Sequence, residues 1–227
     1  SPANSKDENG RPDLVVRDVP VEDDIGLGIE EPRDGIYIGE DQEGFVVVDT
    51  NRQEVDFQSD DETEFTEYAG EDGVGIGSFL WRFAFRLRFG DFNLVFSGNI
   101  RDDSRILYQR DVRDRVETLA PFLHFDGDPY AVAVDGRIQW VLDAYTTSDR
   151  YPYAQRAVVD EGSTLNRRFN YIRNSVKAVV DAYDGTVRFY IVDPDDPIVQ
   201  AYAAAFPDLF EEGDPPAELE AHFRYPD

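Results

Sequence analysis

The chain has 227 residues, 48 of them acidic and 22 basic, which gives a net charge of −26 at neutral pH. A chain this acidic repels nucleic-acid phosphates and anionic lipid, so neither is expected as a ligand of its bulk surface. It has no cysteine, which excludes disulfides and thiolate chemistry, while 41% hydrophobic residues, 16 Phe and 12 Tyr among them, argue for a folded core.

Lys6 and Lys177 are the only lysines, so nearly all of the basic residues are arginine. The acids are scattered rather than confined to one block. That pattern reads as adaptation to molar salt; the alternative is an acidic patch for a cation or a basic partner. Dense like charge destabilises the compact state, and salt screens it, the Debye length falling to about 3 Å at 1 M. The chain is therefore expected to lose structure in low salt. Its melting temperature should rise by roughly 10 °C or more from millimolar to molar KCl; an unchanged value would exclude the idea.

In chain order, 1–12 reads as a flexible tail and Pro12 to Val19 as a short edge strand, followed by a loop over Val21 to Pro32. Ile36-Tyr-Ile and Phe45-Val-Val-Val read as a hairpin. The consecutive Val46, Val47 and Val48 imply a strand covered on both faces. Glu54 to Phe57 reads as a strand, Ser59 to Glu64 as an acidic loop and Gly70 to Gly77 as a flexible connection.

Ser78 to Phe89 fits two patterns. Phe79, Trp81, Phe83, Phe85, Leu87 and Phe89 alternate as in a strand. Ser78 as N-cap, Gly90 beyond the last turn and the length of the run favour a helix, which is the reading adopted. It is taken as a core element whose arginines pair with nearby acids, the alternative being an interfacial segment lying on a membrane. No stretch reaches the roughly 20 uncharged apolar residues of a membrane span.

Phe92 to Phe96 and Arg105 to Gln109 read as strands, and Asp111 to Leu119 as a capped helix stopped by Pro121. Asp135-Gly136 between Ala131-Val-Ala-Val and Arg137-Ile-Gln-Trp-Val-Leu is a hairpin signal, because a type I′ turn needs positive φ at both central positions. Gly162 to Asn166 is loop. A second hairpin is expected around Asp184-Gly185, with a helix over Tyr171 to Val180 as the alternative. Asp196 caps a helix with Pro197 in its first position, and a short helix covers Ala217 to Phe223. The fold class is α+β, mainly antiparallel strands and hairpins with three to four helices. The organisation expected is a tail over 1–12, one globular domain over 13–206 and a C-terminal arm over 207–227.

Several long motifs in this order, Arg82 to Phe96, Ser104 to Pro121, Asp128 to Tyr153, Asn170 to Tyr190 and Ala221 to Pro226, closely resemble the uncharacterised protein family numbered 0182 in the UPF series. The resemblance implies a large membrane protein with N-terminal membrane helices and a big soluble region outside the membrane. This chain would then be part of that region, excised from its helices and lacking a signal for that reason, with its own membrane-spanning part as partner. The family carries no activity to transfer, so no catalytic, cofactor or metal residue is assigned.

The residues themselves offer few chemical constellations. His124 and His222 are the only histidines, and HExxH and GxSxG are absent. Gly70 to Gly77 lacks the Lys-Ser/Thr of a phosphate loop. Asp126-Gly-Asp128 and Asp193-Pro-Asp195-Asp196 could gather carboxylates around Ca²⁺ but do not continue into an EF-hand loop. Tyr145, Thr146, Thr147, Ser148, Tyr151 and Tyr153 form a candidate ligand surface for sugar or peptide, with Trp140 assigned to the core. The functional reading is a non-enzymatic exofacial domain that binds a ligand or partner for its membrane part. The alternatives are an envelope-polymer enzyme with paired carboxylates, or a scaffold in a membrane assembly.

Overall fold

The computed structural model describes residues 36–52, 54–58, 63–70, 72–157 and 168–224, together with four two-residue strands ahead of them. Of those four, Ser5–Lys6 pairs with Pro12–Asp13 and Val16–Arg17 pairs with Glu22–Asp23. The single edge strand expected over Pro12 to Val19 is thus two pieces in separate ladders. Strand also enters the tail at Ser5–Lys6 and the expected loop at Glu22–Asp23. Residues 24–32 and the loop over 162–166 lie outside the described residues.

The smaller sheet is built first. Phe45–Thr50 (β1) does not pair with 36–38, so the expected first hairpin is corrected. Ile38 is buried in the main core, and the amides of Tyr37 and Ile38 both donate to the Ala182 carbonyl at 2.9 Å. The 36–39 segment is therefore held by other parts of the chain. Glu54–Gln58 (β2) pairs antiparallel with Thr63–Thr66 (β3), so the stretch read as acidic loop is strand from Thr63 onward. Val74–Gly75 (β4) turns part of the glycine-rich connection into a strand. Gly77 there is obligatory, because a Cβ would sit 2.1 Å from the Asp102 carbonyl oxygen.

Phe79–Phe89 (α1) is a helix, as expected. Ser78 accepts from the Trp81 amide, and Gly90, at φ 73°, donates its amide to the Arg86 carbonyl. Asn93–Phe96 (α2) is a single helical turn rather than the expected strand. The Asp91 carboxylate takes the Asn93 amide at 2.8 Å, which bends the chain, and the turn buries Leu94 beside Phe85 and Ile106. Ile100–Tyr108 (β5) runs longer than Arg105 to Gln109 and completes the order β1–β5–β4. Val46 and Val48 face one cluster and Phe45 and Val47 another, so β1 is covered on both sides, as its consecutive valines imply.

Val112–Leu119 (α3) starts at Asp111, whose carboxylate accepts the Arg113 and Asp114 amides at 2.9 Å each. The larger sheet follows: His124–Phe125 (β6), Tyr130–Val134 (β7), Arg137–Ser148 (β8), Tyr171–Asp181 (β9) and Val187–Ile191 (β10). The order is β6–β8–β9–β10, β7 also pairing with β8, and every pairing is antiparallel. Asp135 and Gly136 have φ 53° and 70°, the two positive values a type I′ turn requires. The second hairpin forms as well, so Tyr171 to Val180 is strand rather than helix, but its turn is longer. The Asp181 carboxylate takes the amides of Tyr183 and Asp184 at 3.0 Å, which stiffens it.

One face of the larger sheet packs Leu142, Ala144, Val176, Ala178 and Val180 against α3, Ile38 and Val199 of Pro197–Ala205 (α4). Trp140 joins this core and donates its indole N–H to the Ile38 carbonyl at 3.0 Å, as its mid-strand position suggests. The other face carries Val132, Val134, Val141, Val179 and Tyr190 and is covered by Leu219 of Ala217–Glu220 (α5) and by Phe223. The last helix is therefore shorter than Ala217 to Phe223. Tyr37, Tyr68 and Tyr183 pack with ring centroids 4.9–5.4 Å apart and tie the two sheets together. The class is α+β with antiparallel sheets.

Candidate functional site

Residues 145–153 leave the end of β8 in several directions. Tyr145 is buried and donates its hydroxyl to Asp126 at 3.1 Å; burial and that carboxylate hold its phenol well above the usual range. Thr146 is buried on the next register position, and its hydroxyl donates to Asp196. Thr147 is half-buried and pairs with Ile172, while Ser148 Oγ accepts the Arg150 amide at 3.1 Å. Tyr151 is exposed and stacks on Tyr171 at 5.2 Å; Tyr153 is fully exposed. Asn170 clamps this turn, taking the Tyr151 amide at 2.9 Å and donating to the Tyr151 carbonyl at 2.8 Å. Tyr145 and Thr146 thus donate to the half-buried Asp126 and the buried Asp196, and only Tyr151 and Tyr153 of the six present large exposed rings.

Three carboxylates of the two acidic runs have partners within the chain. Asp126 accepts from Tyr145 and from the Gly127 amide, Asp193 pairs with Arg173 at 2.9 Å, and Asp196 caps α4. Among the described residues no three His, Asp or Glu side chains converge as metal ligands.

Among the described residues, one cleft opens where the sheets meet and a second beside the smaller sheet. The larger, about 370 Å³, is lined by Asp72, Tyr108, Arg115 and the 185–187 turn. Arg115 is committed there: it pairs with Asp72 at 2.5 Å and donates to the Gly185 carbonyl at 2.7 Å. The smaller, about 170 Å³, gathers Asp49, Glu54, Glu67 and Tyr68. Burial raises the Glu54 carboxyl above its usual range, neighbouring Asp49 and Glu67 add to that, and the Tyr37 hydroxyl, donating at 2.5 Å, partly offsets it. Asp49 is paired with Arg105 at 3.1 Å. Both acids have internal partners, and the cleft is smaller than the roughly 300 Å³ at which small-molecule sites begin.

The outer side of α1 is built differently. Phe79 is 69% exposed, Leu80 75% and Leu87 68%; Trp81, Phe83 and the following Phe92 are exposed as well. Phe85 and Phe89 face the smaller sheet, and Arg82 and Arg86 lie half-buried beside them. The expected ion pairs do not form: among the described residues none of Arg82, Arg86 and Arg88 is paired with a carboxylate. Arg82 instead donates to the carbonyls of Ile76 and Gly77 at 2.8 and 3.1 Å. Arg86 lies over Phe92 at 4.0 Å and Phe83 at 5.7 Å, and Arg88 over Phe89 and Tyr108. Arg82 and Arg86 are tolerated beside the inner rings because backbone carbonyls and ring faces replace carboxylates, while Phe79, Leu80, Phe83 and Leu87 are left outside.

The family model described as Uncharacterised protein family (UPF0182) matches residues 1–227. This chain belongs to the UPF0182 family. It is 45% identical over 228 residues to a UPF0182 protein of Cupriavidus necator, 42% over 228 residues to one of Sulfurovum sp. and 42% over 228 residues to one of Methanospirillum hungatei. In each case all of this chain is covered, against 24%, 24% and 25% of the relative respectively. The chain therefore spans about a quarter of the length of these UPF0182 proteins. No solved structure matches.

The element of this UPF0182 chain that departs most from its expected role is α1, which the sequence casts as a core helix and which leaves much of its apolar side in solvent. A signal was present: residues 73–90 contain three arginines and no acid, between Asp72 and Asp91, in a chain of net charge −26. Among the described residues no helix is long and apolar enough to cross a membrane.

Proposed function

We propose that this chain is the soluble exofacial domain of a multi-pass membrane protein. It acts as a docking module for the membrane-embedded part of its own polypeptide, binding a partner rather than turning over a substrate. The observation that carries this reading is the outward face of α1, where Phe79, Leu80, Phe83 and Leu87 stand in solvent next to one another. A contiguous apolar patch of this kind marks an interaction surface or an aggregation hazard, and a docking module needs the former. Two further points support it. The chain spans about a quarter of its relatives' length, which leaves a large body of polypeptide for such a face to meet. Of the cleft carboxylates, Asp49, Glu54 and Asp72 are already engaged by Arg105, Tyr37 and Arg115.

The test uses the full-length protein in intact cells with a membrane-impermeant maleimide, any cysteine outside these 227 residues having been replaced, since the 227 themselves contain none. Tyr153→Cys and Leu87→Cys both occupy positions that are exposed in the isolated domain. Tyr153→Cys is expected to react at once and Leu87→Cys much more slowly. Reaction of Tyr153→Cys only after lysis would reject the exofacial placement. Equal rates at the two positions would reject docking through α1.

A further inference from the structure

The side chains of α1 identify what its outer face is shaped to meet. At about 100° per residue, Phe79, Phe83, Leu87, Leu80 and Ala84 fall within one arc roughly 140° wide. That arc contains no charged or hydrogen-bonding side chain. Arg86 stands at one border and Arg88 at the other, and the opposite side, Phe85 and Phe89, anchors the helix to the smaller sheet. Phe92, just ahead of α2, and Trp81, beyond Arg88, extend the exposed apolar surface. Arg86 has a buried Nε with no acceptor among the described residues.

We infer that α1 is an in-plane interfacial helix whose outer arc sits in the surface of a phospholipid bilayer. This rests on the docking reading and changes its occupant, the arc seating against lipid beside the membrane-embedded part rather than against that polypeptide. Phe79, Leu80, Phe83 and Leu87 enter the boundary between headgroups and acyl chains, and Arg86 and Arg88 reach from the two borders to the phosphodiesters. Three observations favour lipid over a protein partner. A protein interface carries about one hydrogen bond per 100–200 Å², and the arc offers no group to make one. Cations flank the apolar arc on both sides, which suits a plane of phosphates on either side of a partly sunken helix. The stretch 73–90 is free of acids although the chain carries −26, so the repulsion that keeps the bulk surface from phosphate headgroups is relieved there.

The experiment is flotation of the 227-residue chain with phosphatidylcholine vesicles in molar KCl, where the charge of the remaining surface is screened. The chain is expected to float with the vesicles. Trp81 emission should shift to the blue, read as the difference between the chain and a Trp81→Phe variant that keeps only Trp140. Leu80→Glu with Leu87→Glu should remove the flotation, each leucine accounting for roughly a tenfold change in partitioning. Both positions are well exposed and carry no core contact, so the circular dichroism of the variant should match the parent.

An unbound chain with parental circular dichroism would overturn the inference. So would flotation that survives the double substitution. Concentration-dependent dimerisation abolished by the same pair, without flotation, would assign the arc to a second copy and overturn lipid equally. Failure here with Leu87→Cys still protected in the full-length protein would point to a protein surface and leave docking standing. Failure of both would remove the two readings together.

Discussion

Lys177→Ala is expected to destabilise the domain by about 3–5 kcal/mol, which is the range for removing one partner of a buried ion pair. Lys177 is 4% exposed and Asp143 5%, and they stand directly opposite each other on β9 and β8, with the ammonium donating to the carboxylate. Asn174 donates to the same carboxylate oxygen at 2.5 Å, and Lys177 also donates to the Arg224 carbonyl at 2.7 Å beneath the Phe223 ring. Alanine would leave Asp143 charged and nearly unpaired inside the protein. Urea denaturation in molar KCl measures the loss, and a change within about 1 kcal/mol of the parent would reject this account. Two further readouts separate it from a general weakening. Amides over 219–224 should exchange faster, because the C-terminal stretch loses its tether to Lys177. The joint replacement Lys177→Met with Asp143→Leu should restore most of the stability, since a well-packed apolar pair can stand in for a buried ionic one.

The same residue bears on the salt question. Lys177 is buried, so among the described side chains every exposed basic group other than histidine is arginine. Surface ion pairs such as Arg113 with Glu117 and Arg101 with Asp103 are screened at high salt, while the Asp143–Lys177 pair is shielded from the ions. The cost of Lys177→Ala should thus stay nearly constant between moderate and molar KCl, even as the stability of the parent changes.

Elements whose signal lies in a few adjacent residues were legible from the sequence. Asp135-Gly136, Asp196-Pro197, Asp111 and the Ser78–Gly90 frame each fix a backbone conformation locally, and each element stands where it was expected. The misassigned stretches depend on distant partners. Ile36-Tyr-Ile is rich in strand formers, yet Ala182, more than a hundred residues away, holds its amides. Phe92 to Phe96 has strand composition, but Leu94 is buried by a single helical turn beside Phe85 and Ile106, with no ladder partner. In α1 the helix itself was legible, but which side faces inward was not. Amphipathic patterning assigns arginine to solvent and phenylalanine to the core. Here Arg82 turns in to the carbonyls of Ile76 and Gly77, a contact that no periodicity foretells. Among the candidate site residues, Thr146 and Tyr145 looked like ligand contacts because Asp196 and Asp126, their acceptors, lie far along the chain or around a turn.

Asp196→Ala is expected to cost more than about 4 kcal/mol, because a single carboxylate closes hydrogen bonds from three separate elements. Its Oδ1 accepts the Tyr171 hydroxyl at 2.6 Å and the Ile198 amide at 3.0 Å; its Oδ2 accepts the Ser175 hydroxyl at 2.6 Å and the Thr146 hydroxyl. Asp196, Thr146 and Ser175 are all fully buried. Loss of the cap alone costs about 1 kcal/mol, and each buried hydroxyl left without an acceptor adds roughly 1–3 kcal/mol before relaxation. Asp196→Asn should be milder, since hydroxyls can rotate to accept from the amide. The acid limb distinguishes a charged hub from a merely polar one. Burial on its own would raise the Asp196 pKa, but the bonds from Ser175, Thr146 and Tyr171 and the Ile198 amide outweigh it and hold the carboxyl below its usual range. A lowered folded pKa gives a contribution that is complete above the unfolded value of about 3.9 and is lost as pH falls through the folded one. The stability gap between the parent and Asp196→Asn should accordingly be constant from pH 7 down to about 5 and narrow below about 4, measured by urea denaturation at fixed molar KCl. A gap that keeps its full size in acid would mean that the negative charge contributes nothing and that four neutral hydrogen bonds hold β8, β9 and α4 together.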